Sequence, residues 1–295
     1  MARHGLNIPG GDSPPLPGPP HAKGTDEATN EVHTLITIHT IASGSEGNCL
    51  LLSAGGTHIL VDAGISCRRI SAALGLLGLS MADVAAVCVT HEHSDHICGL
   101  QTLVRRWEIP ICANAATARQ LLYRIAGIAP RLRAVEGPFQ LGGVTVTPFP
   151  TSHDVSGGAD YRFDFDGVSV GVLTDTGYVT DGAREALAGV ELLVLESNHD
   201  VERLRSGPYP YPLKLRILSD RGHLSNDAAA AFAAEMALSG TRQIVLAHLS
   251  RENNTPALAL EAVSAAVADY PVTVTVAPRG EVSQPYVAEG ARCRR

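Results

Sequence analysis

The sequence predicts an α/β fold, and three observations carry that expectation. From about residue 32 onward, short apolar runs of strand character alternate with stretches that repeat at helical spacing. Ligand-type polar residues stand just past the ends of several apolar runs, where α/β architectures place their sites. The chain is 295 residues long and 45% hydrophobic, enough to bury a sizeable core, and no interior linker divides it.

The elements follow in order. Residues 1–31 form a Pro/Gly-rich tail: Pro14-Pro15-Leu16-Pro17-Gly18-Pro19-Pro20 suits neither helix nor central strand, and too few apolar residues surround it to offset the entropy of ordering. The expectation is a disordered tail followed by one domain over 32–295. Val32–Ile41 reads as a strand, Gly44-Ser45-Glu46-Gly47-Asn48 as a Gly-rich turn, and Cys49–Ser53 and His58–Asp62 as two further strands. Ser66–Leu77 has helical periodicity through Ile70, Leu74 and Leu77, and Val84–Val89 is a buried strand. Later strands are expected near 143–148, 160–165, 168–173, 191–195, 243–247 and 272–276, with helices near 98–107, 115–125, 225–238 and 256–268.

The formal net charge of -7 argues against non-specific wrapping of nucleic acid. Two bound divalent ions would leave about -3, so a phosphate substrate is not excluded. The six cysteines form no Cys-x-x-Cys pair, no signal segment opens the chain and no run of 18 apolar residues occurs, which points to the cytoplasm and away from membranes.

The chemistry concentrates in Thr90-His91-Glu92-His93-Ser94-Asp95-His96. Three imidazoles and a carboxylate directly past an apolar strand suit zinc, iron or manganese. A loop there can point alternate residues to different sides, so that His91 and His93 take one ion while Asp95 and His96 take another. His153, Asp175 and His248 each stand just past an apolar run and complete a seven-residue set for two metals. Asp62, in Val61-Asp62-Ala63-Gly64, reads either as a turn-forming Asp before Gly or as a brace for the histidine loop.

Together, the His-x-His-x-Asp-His run, Val61-Asp62-Ala63-Gly64 and the spaced His153, Asp175 and His248 resemble the metallo-β-lactamase superfamily over roughly residues 34–280. That resemblance implies a four-layer αββα sandwich of two mixed sheets, helices outside and metals at one edge. It implies that His91, His93 and His153 hold one ion, that Asp95, His96 and His248 hold the other, that Asp175 bridges them, and that Asp62 braces the loop. Asp175 departs from the true β-lactamases that use a cysteine at their second site, and the second His of His91-Glu92-His93 departs from the redox diiron members, so hydrolysis is favoured.

Leu195-Glu196-Ser197-Asn198-His199-Asp200, Gly222-His223-Leu224-Ser225-Asn226, His248-Leu249-Ser250-Arg251-Glu252-Asn253-Asn254 and Ser43-Gly44-Ser45-Glu46-Gly47-Asn48-Cys49-Leu50 resemble the YycJ-like branch, which is similar to the RNase Z phosphodiesterases. This implies a metal-dependent nuclease, including double-strand DNA 5′-to-3′ exonucleolysis, with Glu196 and His223 shuttling a proton. The absence of an evident long Gly-rich insertion argues against tRNA 3′ processing.

Asp95 is thus expected to orient the nucleophile as well as ligate, His223 to protonate the leaving group, and Glu196 to fix the His223 tautomer. On the residues alone His223 reads equally as a helix-entry residue. Ser225 and Asn226 are expected to cap a helix and bind phosphate. Lys214 and Arg216, among Arg203, Arg205 and Arg221 and the tyrosines of Pro208-Tyr209-Pro210-Tyr211-Pro212, suit a nucleic-acid strand or else form a solvated loop; the branch resemblance implies DNA before RNA. Zinc is the expected metal and manganese the alternative. Two rival readings remain: hydrolysis of a small phosphodiester or cyclic phosphate, and a non-catalytic metal-bound binding module.

Overall fold

A computed structural model describes residues 35–290; the tail expected over residues 1–31 lies outside them. The strands are β1 (Leu35–Ala42), β2 (Cys49–Ala54), β3 (Thr57–Val61), β4 (Val84–Cys88), β5 (Ile111–Asn114), β6 (Leu132–Val135), β7 (Phe139–Leu141), β8 (Val144–Pro150), β9 (Ala159–Phe165), β10 (Val168–Leu173), β11 (Leu192–Glu196), β12 (Gln243–Ala247), β13 (Thr273–Val276) and β14 (Tyr286–Glu289). The helices are α1 (Cys67–Leu76), α2 (Ser94–Ile97), α3 (Leu100–Arg106), α4 (Ala115–Arg124), α5 (Asp181–Leu187), α6 (Val201–Ser206), α7 (Tyr211–Ile217), α8 (Asn226–Ser239) and α9 (Pro256–Ala266).

Two seven-stranded sheets result, ordered β14-β1-β2-β3-β4-β5-β6 and β13-β12-β11-β10-β9-β8-β7. Both are mixed: β3 to β6 run parallel in the first and β10 to β13 parallel in the second, and the remaining neighbours pair antiparallel. Alternating side chains explain the layering, because successive strand residues point to opposite faces. Ile36, Ile38, Leu50 and Leu52 meet Val146, Tyr161, Phe163 and Val194 between the sheets. Leu51, Leu60 and Val87 face the other way, onto Ile70 of α1, Leu103 of α3 and Leu121 of α4. Leu193, Leu195 and Leu246 face outward onto Leu187 of α5, Phe232 of α8 and Val263 of α9. This is the αββα sandwich. β10 and β11 lie inside their sheet with both faces covered, and every residue of the two strands is buried.

Several elements differ from the sequence reading. The helix expected over 98–107 is α3, Leu100–Arg106, and the one-turn helix α2 within the histidine run was not expected; between them lies Gly99, where a Cβ would fall 2.4 Å from the Ile65 carbonyl oxygen. β5, β6, β7 and β14 are only three or four residues long, too short to show a period. The basic, proline-punctuated stretch is not a loop: it folds as α6 and α7, with proline in the first turn of α7, where its missing N–H costs nothing. Cys98, two residues past His96, is exposed, with its thiol donating to the Gly64 carbonyl. Among the described residues no helix is long and apolar enough to cross a membrane.

Gly64 is where the fold meets the histidine loop most tightly: a Cβ there would lie 1.6 Å from the Asp95 carbonyl oxygen. Gly64→Ala should therefore cost about 1–3 kcal/mol or more of stability in urea unfolding, since the backbone of the loop must move. Gly75 lies in α1 with open space where its Cβ would be, so Gly75→Ala should instead gain about 0.5–1 kcal/mol.

Candidate metal centre

The cluster is built from strand ends. Asp62 follows β3, His91 follows β4, His153 follows β8, Asp175 follows β10, Glu196 ends β11 and His248 follows β12. Parallel strands bring these C-terminal ends to one edge of the sandwich. The one-turn helix α2 then lifts Asp95 and His96 toward the same edge. Asp62, Asp175 and His248 all have positive φ, at 61°, 49° and 56°. The fourth described non-glycine residue of this kind, Asp166, turns the β9–β10 hairpin. Left-handed backbone costs about 1 kcal/mol or more at each such residue, and it persists here because packing over-determines it.

Four imidazoles are fixed at Nδ1. His153 Nδ1 lies 2.9 Å from the Gly222 carbonyl oxygen, which can only accept. His96 Nδ1 lies 2.7 Å from Asp62 Oδ2. The Thr90 hydroxyl donates to the same oxygen at 2.9 Å, and so accepts from His91 Nδ1 at 3.0 Å. His248 Nδ1 lies 3.0 Å from Glu196 Oε1. In each ring Nδ1 carries the proton and Nε2 presents a lone pair, the tautomer that a metal takes. Asp62 also accepts from the Thr90 backbone N–H at 2.9 Å, so it braces the histidine loop rather than making a turn for its own sake.

The bare nitrogens converge on carboxylates. His96 Nε2 is 2.9 Å from Asp175 Oδ2 and 3.6 Å from Asp95 Oδ2; His248 Nε2 is 3.7 Å from Asp95 Oδ2; His153 Nε2 is 3.8 Å from Asp175 Oδ1. His91 Nε2, His248 Nε2 and Asp175 Oδ2 are buried without a hydrogen-bond partner. Lone pairs facing one another in a buried site need a cation between them, and the donor set of imidazole and carboxylate fits a divalent metal ion. Two groups of ligand atoms, His91/His93/His153 and Asp95/His96/His248, each lie within 4.8 Å of one another, and Asp175 reaches both.

Without a metal, the same carboxylates favour positive charge on two of these rings, and a metal ion would take the place of those protons. Burial opposes charge on His96, but Asp62 and Asp175 outweigh it and hold its pKa well above the usual imidazole range. His248, buried yet beside Asp175, Asp95 and Glu196, is pushed up to about 10. Asp175 resists burial because His248 and His96 hold its carboxyl well below the usual range. His91 is driven down by burial and by the neighbouring His96.

Glu196 is fully buried and uses both oxygens: Oε1 accepts from His223 at 2.7 Å and from His248, and Oε2 accepts from the Thr176 and Leu224 backbone N–H groups at 3.1 Å. His223, on the segment entering α8, lies 3.3 Å from Asp175 Oδ1 and keeps 18% side-chain exposure, so its Nε2 is open to a ligand. Burial disfavours its charge, but Glu196 raises its pKa above the ordinary value.

The residues expected to bind substrate divide. Ser225 caps α8 through the Ala228 N–H. Asn226 does not fit the reading of a phosphate-binding side chain: it is buried, and its amide is spent on the Ser197 hydroxyl and Asn254. Lys214 donates to the Arg205 carbonyl, and Arg216 pairs with Asp154. Residues not singled out also shape the centre. Asn48 Nδ2 lies 3.1 Å from His96 Nε2, the Ser43 hydroxyl accepts from the His248 backbone N–H, and Asn198 donates to the His248 carbonyl. All three lie inside the stretches that carried the branch resemblance, the only signal that could have found them.

Comparison with known proteins decides the family. Residues 57–249 match the model of the β-lactamase superfamily domain. The chain belongs to the metallo-β-lactamase superfamily. Among superfamily relatives, the exodeoxyribonuclease YycJ of Bacillus anthracis is 40% identical over 227 residues, covering 76% of this chain and 86% of that protein. The exodeoxyribonuclease WalJ of Streptococcus pneumoniae serotype 2 is 38% identical over 224 residues, covering 74% and 83%. The metallo-β-lactamase fold protein YhfI of Bacillus subtilis superposes with a TM-score of 0.64 at 20% identity, covering 87% of this chain and 100% of that one, which is a likeness of fold.

Asp62 holds His96 and Thr90 in place, so Asp62→Asn should weaken divalent-metal binding about 10–100-fold in chelator competition while the protein stays folded. Glu196 is buried, yet His223 and His248 hold its pKa at about 2 against an ordinary 4.5. Its contribution to stability is therefore present above pH 4.5 and lost as pH falls toward 2. The His223 contribution, from a raised pKa, is present below the ordinary 6.5 and lost as pH rises through the folded value. In urea titrations of metal-free protein, Glu196→Gln should flatten the acid limb and cost on the order of 3 kcal/mol near neutrality.

Proposed function

We propose that this chain is a metal-dependent phosphodiesterase that cleaves nucleic acid, DNA in preference to RNA, and that it works as a duplex 5′-to-3′ exonuclease in the cytoplasm. One observation carries the reading beyond a generic metal hydrolase: His223, tied to buried Glu196, stands with an open Nε2 beside the His/Asp cluster. Relatives that share 38–40% of their residues with this chain over most of their length are named exodeoxyribonucleases, which supports the polymer substrate.

His91, His93 and His153 would hold one ion, Asp95, His96 and His248 the other, and Asp175 would lie between them; zinc suits this donor set best and manganese second. When bound, two such ions supply a water acidic enough to attack phosphorus at neutral pH and charge to offset that on the phosphate oxygens. The chain does the rest. Asp95, with its side chain 23% exposed at the mouth, is placed to orient the attacking oxygen. His223 carries a proton on Nε2 because Glu196 stabilises the imidazolium, and gives it to the departing oxygen. Glu196 keeps Nδ1 protonated, so the ring always offers Nε2 to the substrate.

A panel of duplex DNA, single-stranded DNA, structured RNA and bis(4-nitrophenyl) phosphate, run on metal-stripped protein rebuilt with zinc or manganese, tests this. Duplex DNA should be degraded from its 5′ ends. Turnover of the small ester alone would show that the polymer reading is wrong. Asp175→Ala should abolish cleavage. His223→Ala should slow it about 10²–10⁴-fold with metal content intact.

A further inference from the structure

Asp154 follows His153 in the loop between β8 and β9, and its two oxygens face different partners. Oδ1 lies 3.4 Å from His153 Nε2 and 3.6 Å from His93 Nε2, and it is buried without a hydrogen-bond donor. His153 Nε2 is the bare nitrogen of its ring, since Nδ1 donates to Gly222. A carboxylate oxygen and an imidazole lone pair thus look at one another, as at Asp175, inside the group formed by His91, His93 and His153. Oδ2 accepts from Arg216 Nε at 2.5 Å.

Arg216 sits on α7, and the segment after that helix is stitched to the same loop. Arg221 donates to the His153 and Val155 carbonyls, the Ser152 hydroxyl donates to the Asp220 carbonyl, and His153 Nδ1 donates to Gly222. The guanidinium of Arg216 uses Nε for Asp154, its side chain is 51% exposed, and no hydrogen bond within the described residues takes its terminal N–H groups, which leaves them for a phosphate.

We propose that Asp154 is a positioning residue that couples the cation pocket of His91, His93 and His153 to Arg216, and that Arg216, held in this way at the mouth, grips a backbone phosphate of the nucleic-acid substrate. The proposal rests on the phosphodiesterase reading for its substrate and on geometry alone for its metal arm. A carboxylate with one oxygen toward the pocket and one on the arginine fixes the guanidinium relative to the reacting centre, so the gripped phosphate sits at a set distance from the one being cleaved.

Three variants and three readouts test it. In chelator competition, Asp154→Asn should hold zinc about tenfold less tightly than the wild-type protein, while Arg216→Ala should match the wild type. On duplex DNA both variants should raise KM about tenfold, with the loss falling on KM rather than on kcat, and both should lower the salt dependence of DNA binding by about one unit of slope. The double variant Asp154→Asn/Arg216→Ala should raise KM no further than the larger single change, because the two act as one unit. Additive losses, or an Asp154→Asn protein with unchanged KM and zinc affinity, would overturn the proposal. So would equal loss of zinc in Arg216→Ala, which would mean general damage to the loop. If the wild type cleaves no DNA, the phosphodiesterase reading and the phosphate grip fall together, while the zinc competition still decides whether Asp154 faces the pocket.

Discussion

The centre depends on a single constraint: four imidazoles are pinned through Nδ1, so that their Nε2 lone pairs have nowhere to point but inward. Gly222 O, Thr90 Oγ1, Asp62 Oδ2 and Glu196 Oε1 supply the four acceptors. Burying so many lone pairs and carboxylates costs several kcal/mol per charged group unless a cation joins them. The protein spends further strain on this arrangement, since Asp62, Asp175 and His248 all take left-handed backbone.

The sandwich exists, in functional terms, to hold those acceptors still. Asp62 and the histidine run come from neighbouring strands of one sheet, β3 and β4; Asp175, Glu196 and His248 come from β10, β11 and β12 of the other. Each sheet supplies part of the cluster, and the apolar layer between them keeps the two halves in register. Glu196 links two of these strands and the entry to α8 in one group, because it receives hydrogen bonds from His223, His248, Thr176 and Leu224. α7 and the segment after it bring Arg216 and Arg221 against the His153 loop at this edge, although the chain as a whole is acidic by seven charges.

Much of this was legible in the chain. Long buried strands with β-branched and Leu residues announced themselves, and β10 and β12 match the expected ranges of 168–173 and 243–247. The same was true of α8 and α9, whose caps, Ser225 and Thr255, are ordinary N-cap residues. Short elements were not legible, because four residues of Leu132–Val135 or Tyr286–Glu289 carry no usable period and become strands only by pairing with β5 and β1. α7 was hidden by its prolines, which read as loop until one of them is seen in the first turn. Asn226 looked like a ligand for phosphate because its position before a helix suits one; burial against Ser197 and Asn254 uses it otherwise.

The sequence by itself determined the class of fold and the seven ligand-type residues, because residue type and position after apolar runs are local properties; the pairing of Glu196 with His223 came only with the branch resemblance. Only the tertiary structure decided which nitrogen of each histidine faces inward, that Glu196 braces His248 as well as His223, and that Asp154 carries Arg216. Those facts depend on acceptors that lie between 1 and 69 residues away along the chain, and no local pattern records which of them a folded backbone brings within 3 Å.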